Sequence, residues 1–346
     1  MTFDHKIKLA IIDSSDTWYA QPRLIFEELL KMGHECLWLA RPNHEGSKIN
    51  SIPPGRITVC IANNLSPMDI ATNAPLSLSH PPLERAYRSD ADFIFVGDKT
   101  TFLRYFGSRP NAFYMPYAVD AHIYRPLDNV TVTHDVGFIG NIKVQERSRR
   151  ISLIQKHFSV FHGNNLFMAE ANSALNRCRI VFNTSDGKEI NMRVFEALAT
   201  GKLLITEKVD YLDELFIDGV HLVTYSDDNE MIEKIAHYLI NEEKREIIAR
   251  QGLEAVRKYH TYRHRAEFII EKIRQSRLPG ERLERLHVRD SKKYRLFYEK
   301  QSETNYLAQE RLFNPSIPDP DAGGKYVIRE HLKEALQVAR GKVLDI

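Results

Sequence analysis

Twice along this chain, short apolar strands alternate with amphipathic helices, and that repeated pattern constrains the fold more than any other feature. The first series reads KIKLAIID, PRLIFEELLKMG and HECLWLA, then RITVCIA, ADFIFVG and AFYMPYA, with DKTTFLRYFG as a helix between the last two. Pro22 suits a first helical turn, and Gly33 suits a left-handed helix stop. After AVDAHIYRPLDNVTVTHD the pattern restarts. It runs VGFIG, helix QERSRRISLIQKH, strand FSVFH, helix MAEANSALN, strand RIVFNTS, helix NMRVFEALATG, strand KLLITE, helix DYLDELFIDG and strand HLVTY, closing with helices from Asn229 to about Arg277. Strands separated by helices specify a parallel sheet covered on both faces. The expected architecture is therefore α/β. A Rossmann-like domain over residues 1–128 and a second over 129–278, both doubly wound, face a cleft, and a helical extension covers 279–346. Open parallel sheets bind ligands at the carboxyl ends of their strands, so the active site is expected in that cleft.

Composition narrows the function classes. With 346 residues, 43% apolar and 27% charged, the chain has material for two packed domains. No stretch approaches the roughly 20 apolar residues that a bilayer span needs, and the N-terminus lacks a basic region followed by an apolar core, so a cytoplasmic protein is expected. A formal charge of +2 does not suggest a nucleic-acid partner. Between Lys272 and Lys300, ten Lys or Arg face four Asp or Glu. That stretch reads as a solvated helix face, or as a surface for an anionic acceptor or a peripheral membrane contact. Cys36, Cys60 and Cys178 lie far apart in apolar runs and read as buried reduced thiols. The sequence shows no metal-ligand spacing and no Asp-x-Asp triplet, and it implies no cofactor beyond a donor substrate.

The segment NMRVFEALATGKLLIT follows a strand and its loop, so its helix begins at the carboxyl edge of the second sheet. Asn191 suits the N-cap and Gly201 the stop. Arg193 and Glu196, three apart, share a face with Thr200, while Val194, Phe195, Ala197 and Leu198 form the packing surface. A first-turn Arg beside unpaired backbone N–H groups suits a pyrophosphate, and a Glu suits a vicinal diol such as a ribose. The same spacing also describes an ordinary exposed ion pair.

This segment, with LDELFIDG and HTYRHR, resembles the group-1 glycosyltransferases, most closely their spore-maturation-protein-like branch, over roughly Asp135 to Ile273. The resemblance implies a GT-B fold and a nucleotide-sugar donor whose ribose meets Glu196. It also implies that basic residues after the first strand of the second domain approach the donor phosphates, which selects Lys143, Arg147 and Arg149 in GNIKVQERSRR beside Arg193. The HGNN loop, His162, Gly163, Asn164 and Asn165, falls where that family holds the nucleobase. The family's usual pair of glutamates has seven residues between them. Here six separate Glu189 from Glu196, and neighbouring Asp186 and Lys188 do not restore the count, so Glu189 is a departure from the pattern and a donor-sugar candidate. Retention of configuration is implied by the resemblance alone. MPYAVDAHIYRP is similar to the family's pre-linker sequence.

In the first half, the loop DSSDTWYAQP offers Asp13, Ser14, Ser15, Asp16 and Trp18 to orient acceptor hydroxyls or assist catalysis, or serves as a hydrated capping loop. His80 is a base candidate there, or a structural hydrogen-bonder. The expected activity is metal-independent transfer of a hexose-like residue to a hydroxyl of a glycan, lipid-linked glycan or protein, with chain cations offsetting the diphosphate charge. Two rivals fit the same architecture: a nucleotide-sugar epimerase, and a non-catalytic carbohydrate-binding domain. Beyond Pro279 the pattern fades into a linker or docking extension, then REHLKEALQVARGKVLDI. That ending resembles the first strand of class I S-adenosylmethionine methyltransferases without their Gly-rich loop, and suggests the front part of a glycosyltransferase–methyltransferase fusion.

Overall fold

A computed structural model describes residues 6–13, 21–39, 56–62, 91–143, 145–185 and 189–276. Two five-stranded, all-parallel sheets carry the fold. The first is built from β1 (Lys8–Asp13), β2 (Glu35–Leu39), β3 (Ile57–Ala62), β4 (Phe93–Val96) and β5 (Ala112–Tyr114), in the order β2-β1-β3-β4-β5. The second holds β6 (His134–Ile139), β7 (Val160–Gly163), β8 (Cys178–Asn183), β9 (Leu203–Glu207) and β10 (Val223–Tyr225), in the order β10-β9-β8-β6-β7. Their helices are α1 (Gln21–Lys31), α2 (Lys99–Thr101), α3 (Gln145–Gln155), α4 (Met168–Asn176), α5 (Met192–Ala199), α6 (Asp228–Ile240), α7 (Glu242–Tyr259) and α8 (Tyr262–Gln275).

The second sheet shows why its strands read as unbroken apolar runs. Phe138, Ile180, Phe182, Leu203, Ile205 and Tyr225 pack on one face with Ile151 and Ile154 of α3 and Met231 and Ile235 of α6. The alternate residues Ile139, Val181 and Leu204 face α4, α5 and α7 in a separate cluster. A strand buried on both faces has no polar register. Gly33 and Gly201 stand at φ 86° and 70°, so each supplies the left-handed stop expected of it. Cys60 and Cys178 are buried as expected, whereas Cys36 on the edge strand β2 is only half-buried. Burial pushes the Cys178 thiol up to about 12, leaving it an inert apolar filler. Among the described residues no helix is long and apolar enough to cross a membrane.

Three local expectations change. DYLDELFIDG is not a full helix but a single 3-10 turn, Leu212–Glu214. Tyr211 in the left-handed region (φ 64°) interrupts the helical path, and Leu212 and Phe216 turn into the core. DKTTFLRYFG begins as α2 and widens into a π turn over Phe102–Phe106. The strand in AFYMPYA stops at Tyr114, ahead of Pro116. The extension over 279–346, with its methyltransferase-like ending, lies outside the described residues.

The chain crosses from the first sheet to the second through residues 115–133 and returns on α8, which packs against α1. One side chain clasps both crossings. Arg265 of α8, 7% exposed, donates through Nε to the Pro116 carbonyl at 2.7 Å and through Nη2 to the Tyr117 carbonyl at 2.8 Å. It also meets the Tyr259 carbonyl at 3.1 Å and His260 Nδ1 at 3.0 Å. The backbone adds Val119 N–H to the His260 carbonyl, 3.0 Å, and Tyr262 N–H to the Val119 carbonyl, 3.2 Å. Burial pulls the guanidinium down to about 10, so it stays charged at neutral pH. His260 must then accept the Arg265 proton on Nδ1 and remain neutral. Burial first, and the adjacent cation second, push its imidazole down to about 3.

Replacing Arg265 by Ala removes the donor shared by the Pro116, Tyr117 and Tyr259 carbonyls, and urea unfolding is expected to show a loss of about 3 kcal/mol. Arg265→Lys should recover less than half of it, because an ammonium cannot fork between these acceptors. A neutral His260 makes stability full above pH 6.5 and progressively lost as pH falls from 6.5 toward 3, since only the unfolded chain takes up the proton in that window. Between pH 7 and 5.5, wild type is expected to lose about 1 kcal/mol more than His260→Gln, as measured by urea unfolding at both pH values.

Candidate functional site

A doubly wound sheet binds ligands where its strand order reverses. In the second sheet the chain moves outward from β6 to β7, then returns to β8 and runs the other way, which places the switch point between β6 and β8. Two segments leave the carboxyl edge there: Gly140–Lys143, leading to α3, and Thr184–Asn191, leading to α5.

The first segment is stiffened by its own polar groups. Asn141 Oδ1 accepts from the Lys143 N–H at 2.7 Å, and the Asn141 carbonyl accepts from Arg147 Nη1 at 2.7 Å. Arg147 also lies 5.9 Å from the Phe138 ring, on which His162 stacks at 5.8 Å and 25°. His162 Nε2 is 2.9 Å from the Gly140 carbonyl and donates to it. His162 and Gly163 are thus the end of β7 rather than members of a loop, which begins at Asn164. Lys143 is exposed. Arg149 turns away from the switch point, held at 2.7 Å by Glu146 and, very closely, by Asp228 at the start of α6.

The second segment carries the other candidates. Asn191 sits at the N-cap of α5, but its side chain makes no cap bond and reaches instead to Asn183 Oδ1 at 3.4 Å. The first-turn N–H groups of α5 are therefore not taken by this side chain. Arg193 Nη1 and Glu196 Oε2 form an ion pair of 2.7 Å, with side chains 15% and 11% exposed. Glu189 is half-buried, and its N–H donates to Ser185 Oγ at 3.1 Å. Thr200 faces inward and caps the helix end through the Ala197 carbonyl at 2.6 Å.

Glu196 also lines a cavity of about 10 Å³, room for one water, with Leu24, Asp120, Tyr124, Met192 and Tyr262. Burial, and behind it the Glu196 charge, push the Tyr124 and Tyr262 phenols well above their ordinary range, so both stay protonated donors. The cavity wall thus draws on α1, the crossing segment, α5 and α8.

In the first sheet the order reverses between β1 and β3. Asp13 is the last residue of β1, and its side chain, together with Ser14, Ser15, Asp16, Trp18 and His80, lies outside the described residues. Lys99 was not apparent from the sequence. It opens α2 behind the Asp98 cap, ion-pairs closely with Glu214, and lies 4.8 Å from the Tyr211 ring and 5.6 Å from that of Tyr114. It joins the segment following β4 to the segment following β9. Arg150, Thr184 and Glu207 were also missed. Arg150 shares the buried face of α3 with Ile151 and Ile154, a helical period that marks it as an inward cation.

Residues 129–271 match the family described as glycosyl transferase-like. A search of the curated proteins finds no match. Among solved structures, the sucrose-phosphate synthase of Thermosynechococcus elongatus is similar with a TM-score of 0.56 at 12% identity, over 78% of this chain and 99% of that one. HepE of Anabaena, solved with UDP, gives a TM-score of 0.54 at 13% identity, over 78% of this chain and 100% of its own. A glycosyltransferase of Rickettsia africae gives 0.52 at 10%, over 79% and 100%. These likenesses show a shared GT-B fold.

Proposed function

We propose that the chain transfers a hexose-like residue from a nucleoside-diphosphate sugar to an acceptor hydroxyl on a glycan, lipid-linked glycan or protein, and that it does so in the cytoplasm. The observation that supports this reading is that Arg193 and Glu196 lie in the opening turns of α5, the helix that follows β8 at the switch point of the sheet within the family match. In this reading the start of α5 with Arg193, and Arg147 from the segment following β6, form a cationic seat for a diphosphate. HepE, similar in fold, is solved with UDP, which makes a uridine nucleotide the first donor to test.

In this reading the leaving diphosphate gathers charge as the glycosidic bond breaks, and Arg193, Lys143, Arg147 and the α5 amides offset it. Glu196 accepts from the ribose hydroxyls, while its ion pair with Arg193 keeps the carboxylate at a fixed height above the helix. His162, stacked on Phe138 and tied to Gly140, bounds the nucleobase side. The first half, with Asp13, Asp16 and His80, receives the acceptor.

In calorimetry, wild type is expected to bind UDP, and Glu196→Ala to bind it about 100-fold more weakly, because a dicoordinated sugar edge loses both acceptors. Equal UDP affinity in the two proteins would overturn the donor assignment.

A further inference from the structure

A buried ion pair, Arg150 with Glu207, lies at the carboxyl edge of the second sheet. Arg150 of α3 is 8% exposed, and its Nη1 donates to Thr184 Oγ1 at 2.7 Å and meets Glu207 Oε2 at 2.8 Å. The Thr184 hydroxyl donates to the same Glu207 oxygen at 3.1 Å. Tyr225 lies 5.5 Å from the guanidinium, and its hydroxyl donates to the Asn183 carbonyl at 3.3 Å. Asn183 in turn accepts from Asn191 and donates to Thr206 at 3.0 Å.

These groups come from distinct places that converge at one edge. Thr184 directly follows β8, Glu207 ends β9, Tyr225 ends β10, and Arg150 belongs to the helix that follows β6. Burial works against the Arg150 charge, and Glu207 more than offsets it, leaving the guanidinium firmly protonated. A buried pair of this kind is seldom a net source of stability compared with an apolar core of the same volume. What it does supply is a fixed geometry. Arg150 is rigidly coupled through α3 to Arg147, and through Thr184, Asn183 and Asn191 to the start of α5. It therefore bridges the two segments that flank the switch point.

We propose that Arg150, Thr184 and Glu207 are positioning residues, which hold the α3 and α5 starts at the separation a nucleoside diphosphate requires. The inference rests on the donor reading above. It places no reacting atom on these residues. Their effect is to keep Arg147 on one side and Arg193 and Glu196 on the other in register, so that the diphosphate meets both without reorganisation.

Thr184→Val keeps the shape and removes both hydroxyl bonds, while Glu207→Gln keeps the size and removes the charge. For folded Thr184→Val, UDP calorimetry is expected to give a Kd raised about ten-fold, and assays with a UDP-sugar a KM raised similarly with kcat altered less than about two-fold. In an Arg193→Ala background, Thr184→Val should add less than about two-fold, since the contact it positions is already gone. A purely structural role would lower Tm and leave Kd unchanged well below it. Should Glu207→Gln fail to fold, Thr184→Val still decides. A folded Thr184→Val that binds UDP as tightly as a binding-competent wild type overturns the positioning role alone, as do fully additive effects with Arg193→Ala. A wild type that binds no nucleoside diphosphate overturns the donor reading and this inference with it.

Discussion

The fold depends on a cation that, among the described residues, pairs with backbone carbonyls and not with a carboxylate. Arg265 spends its donors on backbone carbonyls at the two places where the chain passes between sheets, Pro116 and Tyr117 on the way out and Tyr259 on the way back. The Tyr117 carbonyl belongs to a buried residue outside any strand or helix, so losing the guanidinium carries a desolvation cost there. Arg is the side chain whose planar fork can serve several such acceptors at once. The clasp also dictates the state of His260, which must accept on Nδ1 and so stays neutral, packed against Phe195 and Phe216. Phe195 belongs to α5. The packing behind α5 and the junction of the two sheets are therefore one structure.

From that junction, function follows through strand order. Both sheets are parallel and both reverse direction once, so each offers a single crevice at its carboxyl edge. In the second sheet the crevice is flanked by a cationic loop and by the start of α5, and a buried network from Arg150 to Asn191 spans beneath it. The ion pair of Arg193 and Glu196 is at once the ordinary helix pair that its spacing suggests and the polar group that meets the cavity shared with Tyr124 and Tyr262. Lys99, set between Tyr211 and Tyr114 and paired with Glu214, adds a contact between the segments following β4 and β9.

Much of the fold was legible because it depends on local periodicity. Strands buried on both faces show as apolar runs, and Gly33 and Gly201 punctuate helices at positions where only a left-handed residue serves. DYLDELFIDG misled because its Leu and Phe spacing is helical, while the actual path is set by Tyr211 in a left-handed turn, which composition does not announce. At the site, Arg193 and Glu196 could be placed on one helix face from spacing, but their donor role came from family resemblance. Asn191 was read as a cap from its type, yet tertiary structure gives its side chain to Asn183. Arg149 and Arg150 are adjacent and chemically identical and both reach Asp228, and only the packing of α3 decides that the first stays at the surface while the second is buried against Glu207. Partners so distant in sequence leave no local pattern to read.

The central claim is that the donor nucleotide sits at the switch point of the second sheet, and a crystal structure of the protein soaked with UDP tests it most directly. The account predicts the diphosphate within about 3 Å of Arg193 or the first-turn amides of α5, with the ribose hydroxyls at Glu196. UDP bound to the first sheet, or bound to the second without contact to α5, would contradict it.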